Sequence, residues 1–323
     1  MNKKYAPLWV MALVAWILPW VLPNRYFLNI AVIMGIYALI TLGLNLLIGY
    51  AGQISLGHAA FFGIGSYTAA ILTVQFGWNP WLALIAAVAI TILGAWIIGK
   101  PTLKLKGHYL AMATLGFGFI VQILMSELTV LTGGPQGISG IPKLALGGFR
   151  FSGDFQLYFL VWGFVVVIQW MMIHLISGKI GRAFLAIHTN ETAAESLGIN
   201  TARLKLRVLM ISAGLAGLAG SFYAFAINYI NPEPFGFNFS ILLVTMVVVG
   251  GMGSLWGPVL GTVILTLIPE VLRVFKDFDI LIYGLILMMI IIFMPDGMIS
   301  ITRTPWVRRI FHKKITEKQG EWQ

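Results

Sequence analysis

Gln53, Ser55 and His58 stand within one run of ten residues, Gly49-Tyr50-Ala51-Gly52-Gln53-Ile54-Ser55-Leu56-Gly57-His58, which carries no charge and lies between two apolar stretches. Neutral amide, hydroxyl and imidazole groups suit hydrogen bonding to a passing polar solute better than bond-making chemistry. The glycines make the run a poor continuous helix, since each costs about 1 kcal/mol against alanine in a helix interior. In a bilayer, irregular backbone survives only where protein or a watered cavity satisfies its polar groups. The segment is therefore expected to face the protein interior, with Gly52, Gln53, Ser55, Gly57 and His58 along a translocation pathway. The competing reading is that these glycines only permit close helix packing. A second run, Gly250-Gly251-Met252-Gly253-Ser254-Leu255-Trp256-Gly257-Pro258, has the same character, and Gly250, Gly251 and Gly253 join the candidate pathway. Both runs place Ser-Leu shortly before a glycine, a hint of internal repetition. Gly63 and Gly65, followed by Ser66 and Tyr67, offer a small face to a neighbouring helix.

A third stretch, residues 178–205, is polar enough to leave the membrane. Within it Thr189 or Asn190 can cap a short helix, Glu191 suits the positive end of its dipole, and Gly198 can end it in a left-handed conformation. The helix so bounded has two turns and is about 12 Å long. Ala193, Ala194 and Leu197 would form a small apolar face, with Glu191 and Glu195 one turn apart on another side. Such a helix between two spans can be gripped by a moving partner, or can simply rest at the membrane surface.

The elements that must position these residues are apolar helices. Of 323 residues, 59% are hydrophobic and 10% charged, against about 45–50% and about 25% in soluble chains. Hydropathy marks about ten stretches long enough to be spans, near residues 7–22, 26–48, 54–76, 80–99, 108–127, 156–177, 205–228, 237–250, 256–274 and 280–298. The expected fold is an all-α integral membrane protein with Gly-rich broken or re-entrant segments. A membrane domain would cover 1–302 and a basic tail 303–323. Lys3, Lys4, Lys100, Lys104, Lys106, Lys179, Arg182, Arg203, Lys205, Arg207 and the tail fall on one side of such a topology, and only Arg25, Lys143, Arg150, Arg273 and Lys276 on the other. By the positive-inside rule both termini are cytoplasmic. The net charge of +10 therefore reflects orientation, and nucleic acid is not an expected partner. Residues 127–154, rich in Gly and Pro, form the longest outer loop, expected to be irregular and a surface for an external partner.

Zero cysteines exclude thiolate catalysis and cysteine metal sites, and neither a metal cluster nor a nucleophile with its base is apparent, so no enzyme is expected. The spans are nearly bare of carboxylates, which weakens ion-coupled transport, and no Gly-x-x-x-x-Gly-Lys-Ser/Thr motif occurs. Active transport would need a nucleotide site on another polypeptide.

Three blocks, Gly43 to Gly65, Gly181 to Asn200 continuing through Ser212 to Gly220, and Val248 to Ser254, resemble the LivM-type permeases of branched-chain amino-acid ABC importers. The resemblance implies a permease subunit beside a second, homologous permease, two cytoplasmic ABC ATPase subunits and a periplasmic solute-binding protein, in the bacterial inner membrane. It also implies that the stretch with Glu191, Ala193, Ala194, Glu195 and Gly198 docks on an ATPase. No cofactor is expected in this chain, ATP and Mg lying on the ATPases. Similar permeases serve urea, short amides and other amino acids; a secondary carrier and a passive channel are the rival mechanisms.

Overall fold

Uncharged runs of Leu, Ile, Val, Ala and aromatic residues can satisfy their backbone in hydrocarbon only as helices, and helices build the structure. This computed structural model describes residues 5–21, 24–105, 107–146, 149–150, 153–272, 279–294 and 297–298. The basic tail 303–323 lies outside the described residues. Ten apolar helices follow the expected stretches: α1 (Ala6–Val21), α2 (Arg25–Asn45), α3 (His58–Val74), α4 (Pro80–Thr102), α5 (His108–Glu127), α7 (Asp154–Ser177), α10 (Thr201–Ile227), α11 (Phe237–Gly250), α12 (Gly257–Leu272) and α13 (Asp279–Phe293). A five-residue π-helix, Leu46–Tyr50, extends α2. The remaining short helices are α6 (Thr129–Thr132), α8 (Lys179–Thr189) and α9 (Glu191–Ser196).

Among the described residues five helices are long and apolar enough to cross a membrane: Arg25–Tyr50, Pro80–Thr102, His108–Glu127, Asp154–Ser177 and Thr201–Ile227. The most apolar windows of the first and last are 83% and 78% buried, against 28–39% for the other three, so α2 and α10 form the centre and α4, α5 and α7 the rim. Pro7–Val21, His58–Val74, Phe237–Gly250 and Gly257–Leu272 are shorter. At 1.5 Å per residue α11 and α12 are roughly 21 and 24 Å long, less than the ~30 Å hydrocarbon core.

Small residues set the central packing. Gly65 of α3 faces the backbone of Gly217 in α10, and one turn on Gly220 lies against the Phe62 carbonyl and Ser66. Ser66 Oγ donates to Gly220 O at 2.8 Å across this crossing. The small face expected at Gly63 and Gly65 is thus partly an α3–α10 seam, with Gly63 instead meeting Met125 and Phe235. Around the seam Phe61, Phe62, Phe222, Phe225 and Phe235 are fully enclosed.

The chain breaks at both Gly-rich runs. After the π-helix, residues 51–57 are irregular, and Gly52 takes φ +67°, a left-handed conformation that favours glycine. Residues 251–256 join α11 to α12 in a tight hairpin, whose arms approach so closely that a Cβ on Gly250, Gly257 or Gly261 would strike the opposite backbone. The two breaks are fastened together through α2. Asn45 Nδ2 donates to Ser254 O at 2.8 Å, Gly253 N donates to Asn45 Oδ1 at 2.9 Å, and Gly49 packs on Gly253. Gln169 of α7 donates to Leu255 O at 2.7 Å, about eight residues before that helix ends, so the hairpin turns within the bundle. The shared Ser-Leu has a structural counterpart: Ser55 Oγ accepts from Gly57 N just before α3, and Ser254 Oγ accepts from Trp256 N and Gly257 N at the start of α12.

The 127–154 loop corrects one expectation, because it is not wholly irregular. It holds α6, a 3-10 turn Gly134–Gln136 and strands β1 (Ile138–Ser139), β2 (Ala145–Leu146) and β3 (Phe149–Arg150). Strand β1 pairs antiparallel with β4 (Tyr229–Ile230), and β2 with β3. Asn228, at φ +59°, donates to Ile141 O at 2.8 Å and ties the loop to the end of α10. Strands of two residues leave no alternation to read in the sequence.

Gly65→Val is expected to destabilise the protein by about 1–3 kcal/mol through overpacking, lowering its melting temperature in detergent, whereas Gly116→Val, with open space at its Cβ position, leaves melting unchanged. Asn45→Leu strands the Gly253 amide at a cost of about 1–3 kcal/mol. Hydrogen exchange across 251–256 should rise at least severalfold in that variant, with little change in α4.

Candidate functional site

The first break lies against the α8–α9 hairpin. A Cβ on Gly52 would fall 2.9 Å from Cδ2 of His188. A cavity of about 230 Å³ separates the two elements, lined by Ala51, Gly52, Gln53, Gly107, Ile187, His188, Thr189, Asn190, Glu191 and Lys205. Beyond it a chain of hydrogen bonds runs into the bundle: Ser55 Oγ meets His58 Nδ1 at 3.0 Å, and His58 Nε2 meets Ser212 Oγ at 2.6 Å. His58 is only 1% exposed and Ser55 2%. Both imidazole nitrogens are engaged, so His58 joins α3 to α10 within the protein. Leu56 N donates to Thr114 Oγ1, and Gly57 abuts the Thr114 carbonyl of α5. Gln53 is also buried and turns back onto Ala51 O. Of the expected pathway residues, Gly52 is exposed and beside the cavity, while Gly250 and Gly251 are buried in the hairpin and Gly253 is half-buried at Gly49.

The hairpin is built from local signals. Helix α8 is amphipathic: Gly181, Phe184 and Ile187 turn inward, spaced three apart, and Lys179 and Arg182 outward. Asn190 then caps α9, its Oδ1 accepting from Ala193 N at 3.0 Å, while Thr189 instead bonds back to Leu185 O. Gly198, at φ +80°, closes the far end, with Ile199 N donating to Ala194 O and Gly198 N to Glu195 O. Helix α9 spans six residues, shorter than the two turns expected, because this cap overlaps its last turn.

The faces of α9 differ from the expected grouping. Ala194 is buried, while Ala193 is exposed and Leu197 is 80% exposed, since at 100° per residue Ala193 and Leu197 share a face that Ala194 does not. Glu191 is paired with Lys205 of α10 at 2.5 Å, and Lys205 is 2% exposed. Glu195 Oε1 accepts from Thr201 Oγ1 at 2.6 Å. Glu191 and Glu195 therefore both bond to α10, and the surface left open includes Ala193, Leu197 and Gly198 beside the polar Thr192 and Ser196.

Sequence reasoning missed four contributors: α8 as a separate helix, Asn45, Gln169 and the inward-facing Lys205. A lone Asn or Gln within an apolar run is the signal that could have marked two of them, since such a group is costly against lipid. Among the described residues no group of three or more His, Cys, Asp or Glu is arranged to hold a metal, and the buried polar or charged side chains include no carboxylate.

Residues 26–295 match the family described as branched-chain amino acid transport system / permease component. The chain is 35% identical over 320 residues to the high-affinity branched-chain amino acid transport system permease protein LivM of Salmonella typhimurium, a match covering 92% of this chain and 75% of that protein. The LivM protein of Escherichia coli is 34% identical with the same coverage. The LivH permease of Escherichia coli is 25% identical over 284 residues, covering 82% of this chain and 91% of LivH. No solved structure matches. The broken helices and the capped α8–α9 hairpin sit inside the matched region, and this multi-pass membrane protein belongs to the family of permease components of branched-chain amino acid transport systems.

Proposed function

We propose that the chain is a transmembrane subunit of an ATP-driven importer that moves branched-chain amino acids across the bacterial inner membrane by alternating access. The observation that carries this reading is the α8–α9 hairpin. It is an element rigidly capped at both ends of α9, bound to the central helix α10 and presenting Leu197, 80% exposed, with Ala193 and Gly198 to the outside. An apolar knob on an otherwise polar end of a membrane protein is what a force-transmitting partner needs. The partners are a second, homologous permease, two ABC ATPase subunits that carry ATP and Mg, and a periplasmic solute-binding protein. Lys100, Lys104, Lys179, Arg182, Arg203 and Arg207 gather at the hairpin end of the bundle, which supports a cytoplasmic placement of that end and of both termini.

In this mechanism ATP binding changes the separation of the two ATPases, α9 follows, and the helices rock about a pathway near the two breaks. Ligands drive such a cycle only by preferring different states, so ATP and the loaded binding protein favour opposite ones. The buried polar groups near the breaks, Asn45, Gln53, Ser55, His58, Thr114, Gln169 and Ser212, are uncharged amides, hydroxyls and an imidazole. Weak binding along the route suits conduction, and selection of the solute then rests on the binding protein. That neutrality also favours a second reading, in which the same machine carries urea, short amides or other amino acids. The lack of a buried carboxylate among the described residues weighs against an ion-coupled carrier.

Uptake of labelled leucine into proteoliposomes holding this chain, its partner permease, the ATPases and the loaded binding protein should require ATP and cease when the ATPases are left out. Leucine accumulation by this chain alone on an ion gradient would overturn the reading; preferential uptake of urea would replace only the solute. Gly198→Trp, which forces a bulky residue into a left-handed turn, and Glu195→Lys, which breaks the bond to Thr201, should each reduce leucine moved per ATP about tenfold while the complex still assembles. Wild-type coupling in both would remove α9 from the transmission path.

A further inference from the structure

Resting on the importer reading, the geometry points to Lys205 and Ser212 as positioning residues that make α9, α10 and the start of α3 one moving body, with residues 51–53 as its flexible edge over the cytoplasmic cavity. Helix α9 is too short to transmit force by itself, and what it pulls on is decided by its side chains. Two bonds run from it to α10, Glu191 to Lys205 at 2.5 Å and Glu195 to Thr201 at 2.6 Å. Lys205 is 2% exposed and Glu191 partly buried. Removing one partner of such a pair leaves an uncompensated charge, so the pair is held to one geometry more firmly than an exposed one.

Ser212 stands seven residues after Lys205, two helical turns along the same face of α10. There it meets His58 Nε2, and His58 meets Ser55. Farther along, the glycine seam of Gly65, Gly217 and Gly220 leaves α3 and α10 no room to slide. A displacement of α9 therefore reaches Ser55 through fixed contacts. Upstream of Ser55 the fit changes. The 230 Å³ cavity lies between residues 51–53 and the hairpin, and Gly52 holds φ +67°, so the chain can flex there without a Cβ penalty. The opposite side of the cavity is anchored, because Gly49 and Asn45 are pinned to the α11–α12 hairpin. Gly43 of α2 packs on Ser212 and Leu215 of α10, so the helices on either side follow α10, and the freedom left lies in residues 51–53 beside the cavity.

The test uses the whole importer in proteoliposomes, with leucine moved per ATP and hydrogen exchange across 51–57 measured on the same samples. Lys205→Met and Glu191→Gln should each reduce leucine per ATP about tenfold with hydrolysis continuing, and raise exchange across 51–57 at least threefold. Lys205→Arg should restore at least half of the coupling. Unchanged coupling and exchange in Lys205→Met and Glu191→Gln would overturn the proposal. If those variants fail to assemble, Ser212→Ala and Thr201→Val decide it: a fall in coupling with faster exchange supports it, and wild-type values in both overturn it. Should the wild-type importer show no ATP-driven uptake, the importer reading fails. The exchange measurement then still decides the mechanical link, unchanged exchange across 51–57 in Lys205→Met defeating it.

Discussion

A peptide group without a hydrogen-bond partner costs several kcal/mol in hydrocarbon, and each departure from regular helix in this protein is arranged around that constraint. At the second break Asn45 supplies an acceptor to Gly253 and a donor to Ser254, Gln169 supplies a donor to Leu255, and Ser254 closes the start of α12. At the first, Thr114 and Ser55 serve the amides of Leu56 and Gly57. Servicing residues come from α2, α5 and α7 as well as from the breaks' own serines, so the breaks are placed by the helices around them together with their own sequences.

The same solvent removes the usual reason for apolar helices to associate, since lipid is as apolar as leucine. Close approach has to supply the attraction, and the α3–α10 seam obtains it from Gly65, Gly217 and Gly220 with one added hydrogen bond from Ser66. Large aromatic side chains then fill the space around the seam. The close-packed centre thus lies directly beside the two breaks.

Much of this was legible in the residues. Ten apolar stretches fell within a few positions of ten helices, because hydrocarbon sorts side chains strongly and long windows average out noise. Gly52, Gly251 and Gly253 marked both breaks, and Asn190 and Gly198 bounded α9, since caps and left-handed turns demand particular residue types. What escaped depends on partners distant in sequence. Asn45 and Gln169 look like tolerated polar residues until the carbonyls they serve are brought beside them. Lys205 counts as one more cytoplasmic charge until Glu191 folds back over it. Helix α8 has only eleven residues, too short for a span-length hydropathy window to single out. His58 reads as a pathway residue because its enclosure comes from α10, more than 150 residues away.

The π-helix Leu46–Tyr50 carries a last consequence. Its wider turn holds one residue more than an α-turn of the same span, which sets the angular phase of everything after Asn45. An ideal α-helix through the same residues would rotate Tyr50 and the chain beyond it by about 100°, the step of a single residue. Gly52 would then leave His188, and Gly49 would no longer present its bare backbone to Gly253. The spacing from Asn45 to Gly52 therefore behaves as a fixed gear ratio between the membrane bundle and the α8–α9 hairpin.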